Sequence, residues 1–410
     1  MKELKQIELQ LSDKDPEVRI NALFDAYEYG EAGIKSIAQA LEDKTRKVRQ
    51  AALILLGESK AEIAKQALWN YLPFSKIQCL HTIRELNLNC VHPEFHHFEH
   101  LSIANCNNKL VSYWYLNKDS CHHLWDMATG KLERCLCSRS NQFALSQNGL
   151  KSIFSHYECL FVADLSQASD YLIGCDILTE TPNYNAFAIA TAKTLVAIGS
   201  TFGGHRNGVL QILDYKNNIF CLNYPFERSA LSAHYIYTDT DNPEDLWKKT
   251  LSPLFFCPGD EILIAHFVPN RLHSNIKLWN VKSGKLIQSI ENIPKLTITS
   301  VGLYSDETII ACGIRENKVC TWELQTDKII FTTDEMCPCI LSDNGRVLIY
   351  ATANYEIVVQ DLVREQELCR LTGHKAPIAY LTLSEDYEFI ASYSTDKQIK
   401  IWGIPDRIMK

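Results

Sequence analysis

Histidine is concentrated in one short stretch of the sequence. His92, His96 and His100 follow one another at intervals of four residues. On a helix this spacing would place three imidazoles on one face, where they could bind a metal ion. Pro93 and the strand-like segments around it favour instead a loop that leads into a strand. We therefore expect no metal at this stretch.

The fifteen cysteines are the next residues whose chemistry needs an interpretation. Cys135 and Cys137, like Cys337 and Cys339, are separated by one residue, whereas structural zinc sites usually have two to four residues between paired ligands. Five other cysteines lie in apolar, strand-like runs, where a free thiol behaves as a small hydrophobe. These are Cys221, Cys257, Cys312, Cys320 and Cys369. We expect buried free thiols in a reducing cytoplasm.

A glycine-rich segment, residues 201–208, could suggest a phosphate-binding loop. It lacks the Gly-Lys-Ser/Thr ending of such a loop, and no helical pattern follows it. The sequence therefore predicts no nucleotide cofactor, and no other cofactor is indicated.

Composition limits the classes of partner. The chain has 410 residues, which exceeds the usual size of one hydrophobic core, and its formal net charge is −8. Residues 1–75 hold 11 basic and 12 acidic residues, so neither part has the basic excess that nucleic-acid binding requires. No apolar run approaches the roughly 20 residues of a membrane span, and the N-terminus has no signal-peptide pattern. We expect two domains and neither a nucleic-acid nor a membrane partner.

The first 75 residues contain a repeat of 30 residues. Asp13, Arg19 and Leu23 recur as Asp43, Arg49 and Leu53, and a second amphipathic segment lies between the two copies. In that segment Ile34, Ile37 and Leu41 have the spacing of one helix face. Asp13 is placed as a helix N-cap, and Gly30 and Gly57 stand where helices should end.

This pattern resembles HEAT repeats, which carry an Asp, a Pro and a Val-Arg pair at these positions. The resemblance implies a short helical module, residues 1–74, in which Asp13, Arg19, Asp43 and Arg49 form a ladder inside the repeats rather than a catalytic site. Two repeats are few for an independent solenoid, so we expect the module to need further packing.

From residue 75 onward, short strand-like runs alternate with polar turns. The clearest unit runs from Leu371 to Trp402 and resembles a WD repeat. The resemblance implies that His374, Ser392 or Ser394, Asp396 and Trp402 form the hydrogen-bonded tetrad that stiffens a blade of a β-propeller. His, Ser and Asp could also suggest a hydrolase triad, but the tetrad accounts for the spacing without a nucleophile.

Six degraded copies precede this unit, each with a segment that matches the Trp-Asp strand end. Their tryptophan-equivalent residues are 125, 163, 213, 279, 322, 360 and, in the clear unit, 402, which gives spacings of 38, 50, 66, 43, 38 and 42 residues. Four of the six approach the length of one four-stranded blade, about 40–45 residues. We therefore expect a multidomain chain with a short helical module followed by an all-β propeller of seven blades, residues 75–410.

The last copy ends before its outer strand. Residues 76–83 have the pattern of the outer-strand segment 284–290. Pairing of residues 75–83 with the last blade would close the ring and cover an exposed sheet edge.

The 66-residue spacing contains an insertion, roughly residues 224–252, between the predicted strands 219–222 and 254–257. In WD-repeat propellers such loops lie on the top face. Long loops on rigid scaffolds often bind partners, although this one could instead plug the mouth of the central channel. The candidate partner-binding residues are Tyr235, Tyr237, Asp239, Asp241, Glu244, Asp245 and Trp247 in the insertion, with His205, Arg206 and Arg271 in two nearby loops.

The sequence thus predicts a non-catalytic scaffold that binds a protein or peptide partner. A regulatory or sensor subunit of a multi-protein system is the alternative. An enzyme is disfavoured because no coherent catalytic constellation is present.

Overall fold

The computed structural model describes residues 4–83, 97–104, 109–116, 119–138, 143–145, 151–156, 159–164, 173–175, 182–189, 195–202, 207–214, 219–227, 254–267, 273–294, 296–304, 308–335 and 337–405. The chain divides into two compact units. The helical unit comprises residues 1–80, 386–389 and 402–410, and the sheet unit comprises residues 81–385 and 390–401.

Helices account for most of the helical unit. They are α1 (Leu4–Gln10), α2 (Pro16–Tyr27), α3 (Gly30–Gln39), α4 (Arg46–Glu58) and α5 (Glu62–Asn70), with short 3₁₀ turns at Ala40–Glu42 and Pro73–Lys76. Ile34, Ile37 and Leu41 are buried in one apolar core with residues of α2 and α4, as their spacing predicts. Among the described residues, no helix is long and apolar enough to cross a membrane.

The helix boundaries differ from the sequence expectation at two places. The N-cap of α2 is Asp15 rather than Asp13, because the Asp15 carboxylate accepts the Glu17 amide at 2.9 Å while Asp13 caps Asp15 itself. Gly57 lies within the last turn of α4, which continues to Glu58.

Gly30 and Gly33 are required by backbone geometry. Gly30 begins α3 with φ +58°, a conformation that costs little only for glycine. A β-carbon on Gly33 would lie 1.7 Å from the Ala26 carbonyl oxygen, so glycine here allows α3 to pack closely on α2.

The remainder is built from strands in small antiparallel sheets. The first strand, β1 (Gln78–Ile83), follows the helices directly. Sheets 1 to 3 comprise β2 (His97–Ala104), β3 (Lys109–Leu116), β4 (Asp119–Asp126) and β5 (Leu132–Ser138); β6 (Phe143–Leu145), β7 (Lys151–His156), β8 (Cys159–Asp164) and β9 (Ile173–Cys175); and β10 (Pro182–Ile189), β11 (Leu195–Phe202), β12 (Asn207–Asp214) and β13 (Ile219–Glu227).

Sheets 4 to 6 comprise β14 (Leu254–Phe256), β15 (Ile262–Phe267), β16 (His273–Asn280) and β17 (Leu286–Pro294); β18 (Leu296–Leu303), β19 (Ile309–Arg315), β20 (Lys318–Glu323) and β21 (Lys328–Thr333); and β22 (Cys339–Leu341), β23 (Val347–Ala351), β24 (Ile357–Asp361) and β25 (Gln366–Leu371). Sheet 7 comprises β26 (Ile378–Leu383), β27 (Phe389–Ser394) and β28 (Gln398–Gly403), with β1 as its fourth strand.

The described residues thus form seven four-stranded antiparallel sheets, and the seven predicted Trp-Asp segments each end the third strand of one sheet. This succession of small sheets is consistent with a β-propeller. Within the sheet unit, first strands of consecutive sheets contact one another, as β10 does with both β6 and β14, and β22 with both β18 and β26. The first strand of sheet 7, β26, also contacts that of sheet 1, β2.

Candidate functional site

His374, Ser392 and Asp396 lie together in sheet 7. His374 Nε2 is 2.7 Å from Ser392 Oγ, and its Nδ1 is 3.4 Å from Asp396 Oδ2. The structure therefore selects Ser392 for the predicted tetrad, while the Ser394 hydroxyl donates to the Ala376 carbonyl at 2.8 Å. Trp402, the fourth predicted member, is buried.

Burial of this cluster distinguishes a structural role in the blade from a catalytic role. Ser392 is 0% exposed, so its hydroxyl does not face solvent or a substrate. Burial also lowers the pKa of His374 to about 4, against the opposing charge of Asp396. A base with this pKa is poorly matched to work near neutral pH. The geometry therefore fits a structural hydrogen-bond network.

A related network lies in sheet 1. Ser112 Oγ accepts hydrogen bonds from the indole nitrogens of Trp114 at 2.9 Å and Trp125 at 2.8 Å. Trp125 is one of the predicted tryptophan-equivalent residues, whereas Ser112 was not predicted from the sequence. The sequence feature that could have indicated Ser112 is its place in the strand before that of Trp125, as Ser392 lies in the strand before that of Trp402.

Arg19 forms the first rung of an ionic ladder in the helical unit. Its Nε and Nη2 atoms each lie 2.9 Å from an oxygen of the Asp43 carboxylate, and Nη1 donates to the Asp13 carbonyl at 2.7 Å. Nη2 also donates to Thr45 Oγ1 at 2.8 Å. The guanidinium is therefore neutralised by a two-point contact, which is the strong form of such pairs.

Arg49 forms the second rung, but its carboxylate comes from a distant part of the sequence. Arg49 Nη1 donates to the Asp43 carbonyl at 2.6 Å, as Arg19 does to Asp13. Its Nε and Nη2 both bind the carboxylate of Glu388, the latter at 2.7 Å. Glu388 lies in the turn Asp386–Phe389, which belongs to the same unit, and it takes the place that Asp43 has in the first rung.

Further groups complete the second rung. The Tyr71 hydroxyl donates to Glu388 at 3.0 Å, and Arg46 binds Asp386 at 2.7 Å. The Arg46 guanidinium also lies over the Phe389 ring, 4.6 Å from its centre. Burial disfavours the Arg49 cation, but the hydrogen bond and charge of Glu388 outweigh it and raise the Arg49 pKa above its ordinary value.

The equivalent turn of sheet 6 carries the opposite charge at the position of Glu388. The turn of Ser342 to Arg346 aligns with that of Ser384 to Glu388, and its third residue after the serine also has positive φ. There the last residue is Arg346, which binds Asp361 at 2.7 Å within its own sheet. In sheet 7 the residue equivalent to Arg346 is the acidic Glu388. The residue equivalent to Asp361 is Gly403, which has no side chain to pair with it.

The seven cysteines whose side chains the structure describes are free thiols. Cys257, Cys312, Cys320 and Cys339 are buried, Cys369 is half-buried and Cys79 is exposed. Burial raises the pKa of Cys257 to about 12, which suppresses its thiolate. In the part of the chain that the structure describes, no group of three or more His, Cys, Asp or Glu residues could hold a metal.

The histidine-rich stretch is described only from His97, where β2 begins. His92 and His96 lie outside the described residues. The stretch from His97 to His100 is a strand, so it does not continue the helix that a one-face metal site would need.

All ten predicted partner-binding residues lie outside the described residues. They are Tyr235, Tyr237, Asp239, Asp241, Glu244, Asp245, Trp247, His205, Arg206 and Arg271. The structure therefore shows what supports the insertion rather than the insertion itself.

Both ends of the insertion are fixed in one apolar cluster. Leu222 on β13, Leu254 and Phe256 on β14, and Trp279 on β16 are buried together. The Tyr224 ring packs edge-on against Trp279, with 5.2 Å between the centroids. Residues 228–253 therefore join two strands that share one packed base.

No family model matches the chain. Over 208 residues it is 24% identical to a WD repeat-containing protein, SL1-17, of Schistosoma mansoni, which covers 47% of this chain and 68% of that protein. This similarity supports the prediction of a WD-repeat family for the chain.

Two plant proteins match over a shorter length. The chain is 24% identical to Protein FIZZY-RELATED 3 and 27% identical to Protein FIZZY-RELATED 1 of Arabidopsis thaliana, over 131 residues in each case. The matches cover 31% of this chain and only 27% and 28% of the plant proteins.

Proposed function

We propose that this protein is a non-catalytic interaction scaffold that binds a protein or peptide partner through the insertion of residues 228–253. The observation that carries the proposal is the common base of that insertion: both flanking strands are anchored in the apolar cluster around Trp279. Binding residues lie disproportionately on loops that a rigid scaffold positions. Its aromatic and acidic residues match the composition of binding surfaces.

The proposed architecture is a seven-bladed ring closed by β1, preceded by a HEAT-like module. The contact of β26 with β2 and the T-shaped packing of Trp114 on Tyr393, at 5.9 Å, support closure between the last and first sheets. The Arg19 and Arg49 rungs support the repeat assignment. On this proposal the insertion and the loops of His205, Arg206 and Arg271 share the top face, and the thiols suit a cytoplasmic location.

Trp247→Ala tests the binding site. The full-length tagged chain and the variant are used to capture partners from extracts of the cells that express the protein, with mass spectrometry as the readout. Because buried aromatics usually supply most of the affinity at an interface, we expect the recovered partner to bind the variant about 1–3 kcal/mol more weakly. Affinities are then measured with that purified partner.

Phe24→Ala is the matched control. Phe24 is an exposed aromatic residue on α2, so its truncation should leave partner affinity unchanged. Melting temperatures of both variants should equal that of the wild type. If Trp247→Ala unfolds the chain while amide substitutions of the insertion acids leave binding intact, the insertion is a plug and the proposal fails.

A further inference from the structure

The fourth strand of several sheets carries a β-bulge at the same place. In sheet 4, Trp279 pairs with Leu286 and Leu278 pairs with Gln288, so Ile287 is the extra residue. The same shift occurs in sheets 1, 3, 5 and 6. A bulge breaks the alternation of the strand and turns consecutive side chains outward.

Sheets 1 and 6 cover this part of the edge with paired charges. In sheet 1 the extra residue is Glu133, which forms an ion pair with Lys109. In sheet 6 the residue that precedes the bulge is Glu367, which binds Arg370 at 2.6 Å. Ion-paired glutamates at an edge discourage apolar association.

Sheets 4 and 5 have aliphatic side chains at the equivalent positions. Leu286, Ile287 and Ile329 are 45%, 52% and 49% exposed. Each cluster follows directly on a lysine, in the segments Lys285-Leu286-Ile287 and Lys328-Ile329. Sheets 4 and 5 therefore have no charged side chain at these two positions. Sheets 1 and 6 each have an ion-paired glutamate at one of them, which in sheet 1 lies next to Leu132, 39% exposed.

The lysines beside this surface are not neutralised within the described residues. Lys282, Lys285 and Lys328 are exposed, and no described carboxylate lies within ion-pair distance of them. Two nearby acids are engaged elsewhere, since Glu291 binds Lys277 and Asp327 binds Arg315. Glu323 pairs with Lys328 across β20 and β21 but forms no ion pair with it.

The two clusters are neighbours. Gln288 Nε2 donates to the Gln325 carbonyl at 3.0 Å, which links β17 to the turn before β21. Leu324 and Leu278 are buried in the same core cluster, and Ile290 of β17 packs against that cluster. We name the surface formed by Lys282, Lys285, Leu286, Ile287, Lys328 and Ile329 the basic-aliphatic edge.

We propose that the basic-aliphatic edge is a second docking surface, and that it binds a protein segment with aliphatic side chains flanked by carboxylates. Exposed apolar groups gain free energy when they are covered, and the lysines select an acidic partner. The bulges disfavour strand addition, so the contact is made through side chains. In the antiparallel sheet 4, β14 and β17 begin at opposite ends of the sheet. The insertion leads into the start of β14 and the basic-aliphatic edge lies at the start of β17, so the two surfaces are separate.

Fluorescence anisotropy tests the proposal with the full-length chain and a labelled twelve-residue peptide in which leucine alternates with glutamate. Two control peptides replace glutamate by lysine or leucine by serine. We expect the acidic-aliphatic peptide to bind at least tenfold more tightly than either control, and to bind more weakly as salt rises.

The variants copy residues that the protein itself uses at equivalent positions. Ile287→Glu reproduces the glutamate of sheet 1, and Ile329→Glu reproduces that of sheet 6, so both should fold normally. Each should weaken peptide binding about fivefold or more, as should Lys285→Glu. Leu132→Glu, made at the corresponding place in sheet 1, is the matched control and should have no effect.

Several outcomes would overturn the proposal. These are equal binding of the three peptides, loss of binding with Leu132→Glu, and intact binding in the Ile287→Glu/Ile329→Glu double variant. Sedimentation with phosphatidylserine vesicles that depends on the same lysines, without peptide binding, would assign the edge to lipid instead. Trp247→Ala should leave peptide affinity unchanged, so failure here and failure of the proposed insertion site are distinguished.

Discussion

At the scale of single residues, the decisive contact in the helical unit is the buried pair of Arg49 and Glu388. Their side chains are 0% and 1% exposed, so both charges have lost their hydration and depend on each other. A buried pair of this kind contributes little net stability, but removal of one partner leaves an uncompensated charge. The pair therefore makes the turn Asp386–Phe389 a requirement of the helical fold.

Glu388→Ala should lower the free energy of unfolding of the helical unit by about 3–5 kcal/mol. Urea denaturation followed by circular dichroism at 222 nm measures this loss. Glu367→Ala is the control, since its partner Arg370 is exposed and such pairs are worth at most about 1 kcal/mol. A loss for Glu388→Ala no greater than that of the control would show that Arg49 finds another partner or water.

His374 should make stability depend on pH. Its folded pKa of about 4 lies below the ordinary value of 6.5, so the unfolded chain binds the proton more readily. The stability is full above pH 6.5 and is lost as the pH falls towards 4, by about 2 kcal/mol between pH 7 and pH 5. Burial lowers the pKa of His266 to about 4 as well, so the wild type should lose more than one histidine explains.

Comparison with His374→Gln isolates this residue. The variant should be less stable at pH 7 but should lose about 2 kcal/mol less than the wild type on acidification to pH 5. Urea midpoints at both pH values provide the measurement. Equal losses in the two proteins would mean that His374 is already protonated or exposed in the folded state.

The residue scale also shows why part of the structure was not predictable from sequence. The cap at Asp15 was misplaced because Asp13 and Asp15 both precede Pro16, and only backbone geometry separates them. Glu388 was missed because it lies 339 residues from Arg49. The sequence did contain one indication. A further step of 30 residues from Asp43 reaches Pro73, so the repeat supplies no acid to pair with Arg49.

At the scale of elements, local pattern was enough to place the strands. Each Trp-Asp segment combines apolar strand residues with a turn-forming end, so strands β4, β8, β12, β16, β20, β24 and β28 end where the sequence predicted. The bulges were not predictable, because they depend on which residue pairs across the sheet. The basic-aliphatic edge follows from those bulges and was therefore invisible in the sequence.

The strand β1 allows an element-scale prediction. Deletion of residues 1–83 removes the fourth strand of sheet 7 and the hydrogen bond from Lys400 Nζ to Thr82 Oγ1 at 2.9 Å. It leaves β28 with an open edge, so we expect a melting temperature lower by roughly 5 °C and a tendency to aggregate. Deletion of residues 1–60 keeps β1 and should avoid the aggregation.

Scanning calorimetry and light scattering compare the two deletions. The shorter deletion also removes Arg46 and Arg49, but Asp386 and Glu388 then regain water rather than remaining buried without partners. If the chain without residues 1–83 melts at the temperature of the 1–60 deletion and stays monodisperse, β1 does not stabilise sheet 7.

At the scale of the whole molecule, charge distribution separates the two proposed surfaces. The net charge of −8 produces a field that attracts positively charged partners to acidic surfaces. Asp239, Asp241, Glu244 and Asp245 lie within seven positions of one another in the sequence, close to Trp247, and on the proposed function they should focus that field near it. An acidic segment is repelled by the overall negative charge, so the lysines of the basic-aliphatic edge can attract it only at short range. That range is about one Debye length, about 10 Å at 0.1 M salt.

Replacement of the four insertion acids by their amides should therefore slow association with the recovered partner several-fold at low salt and change dissociation little. The difference should vanish near 1 M salt, where the Debye length is about 3 Å. A control variant with Glu17, Glu28, Glu31 and Glu58 changed to Gln removes the same number of charges from exposed sites on the helices. Stopped-flow measurements across a salt series should show a much smaller effect for it, because steering depends on where charge is placed. Equal slowing by the two variants would mean that only net charge matters, and that the insertion acids do not face the partner.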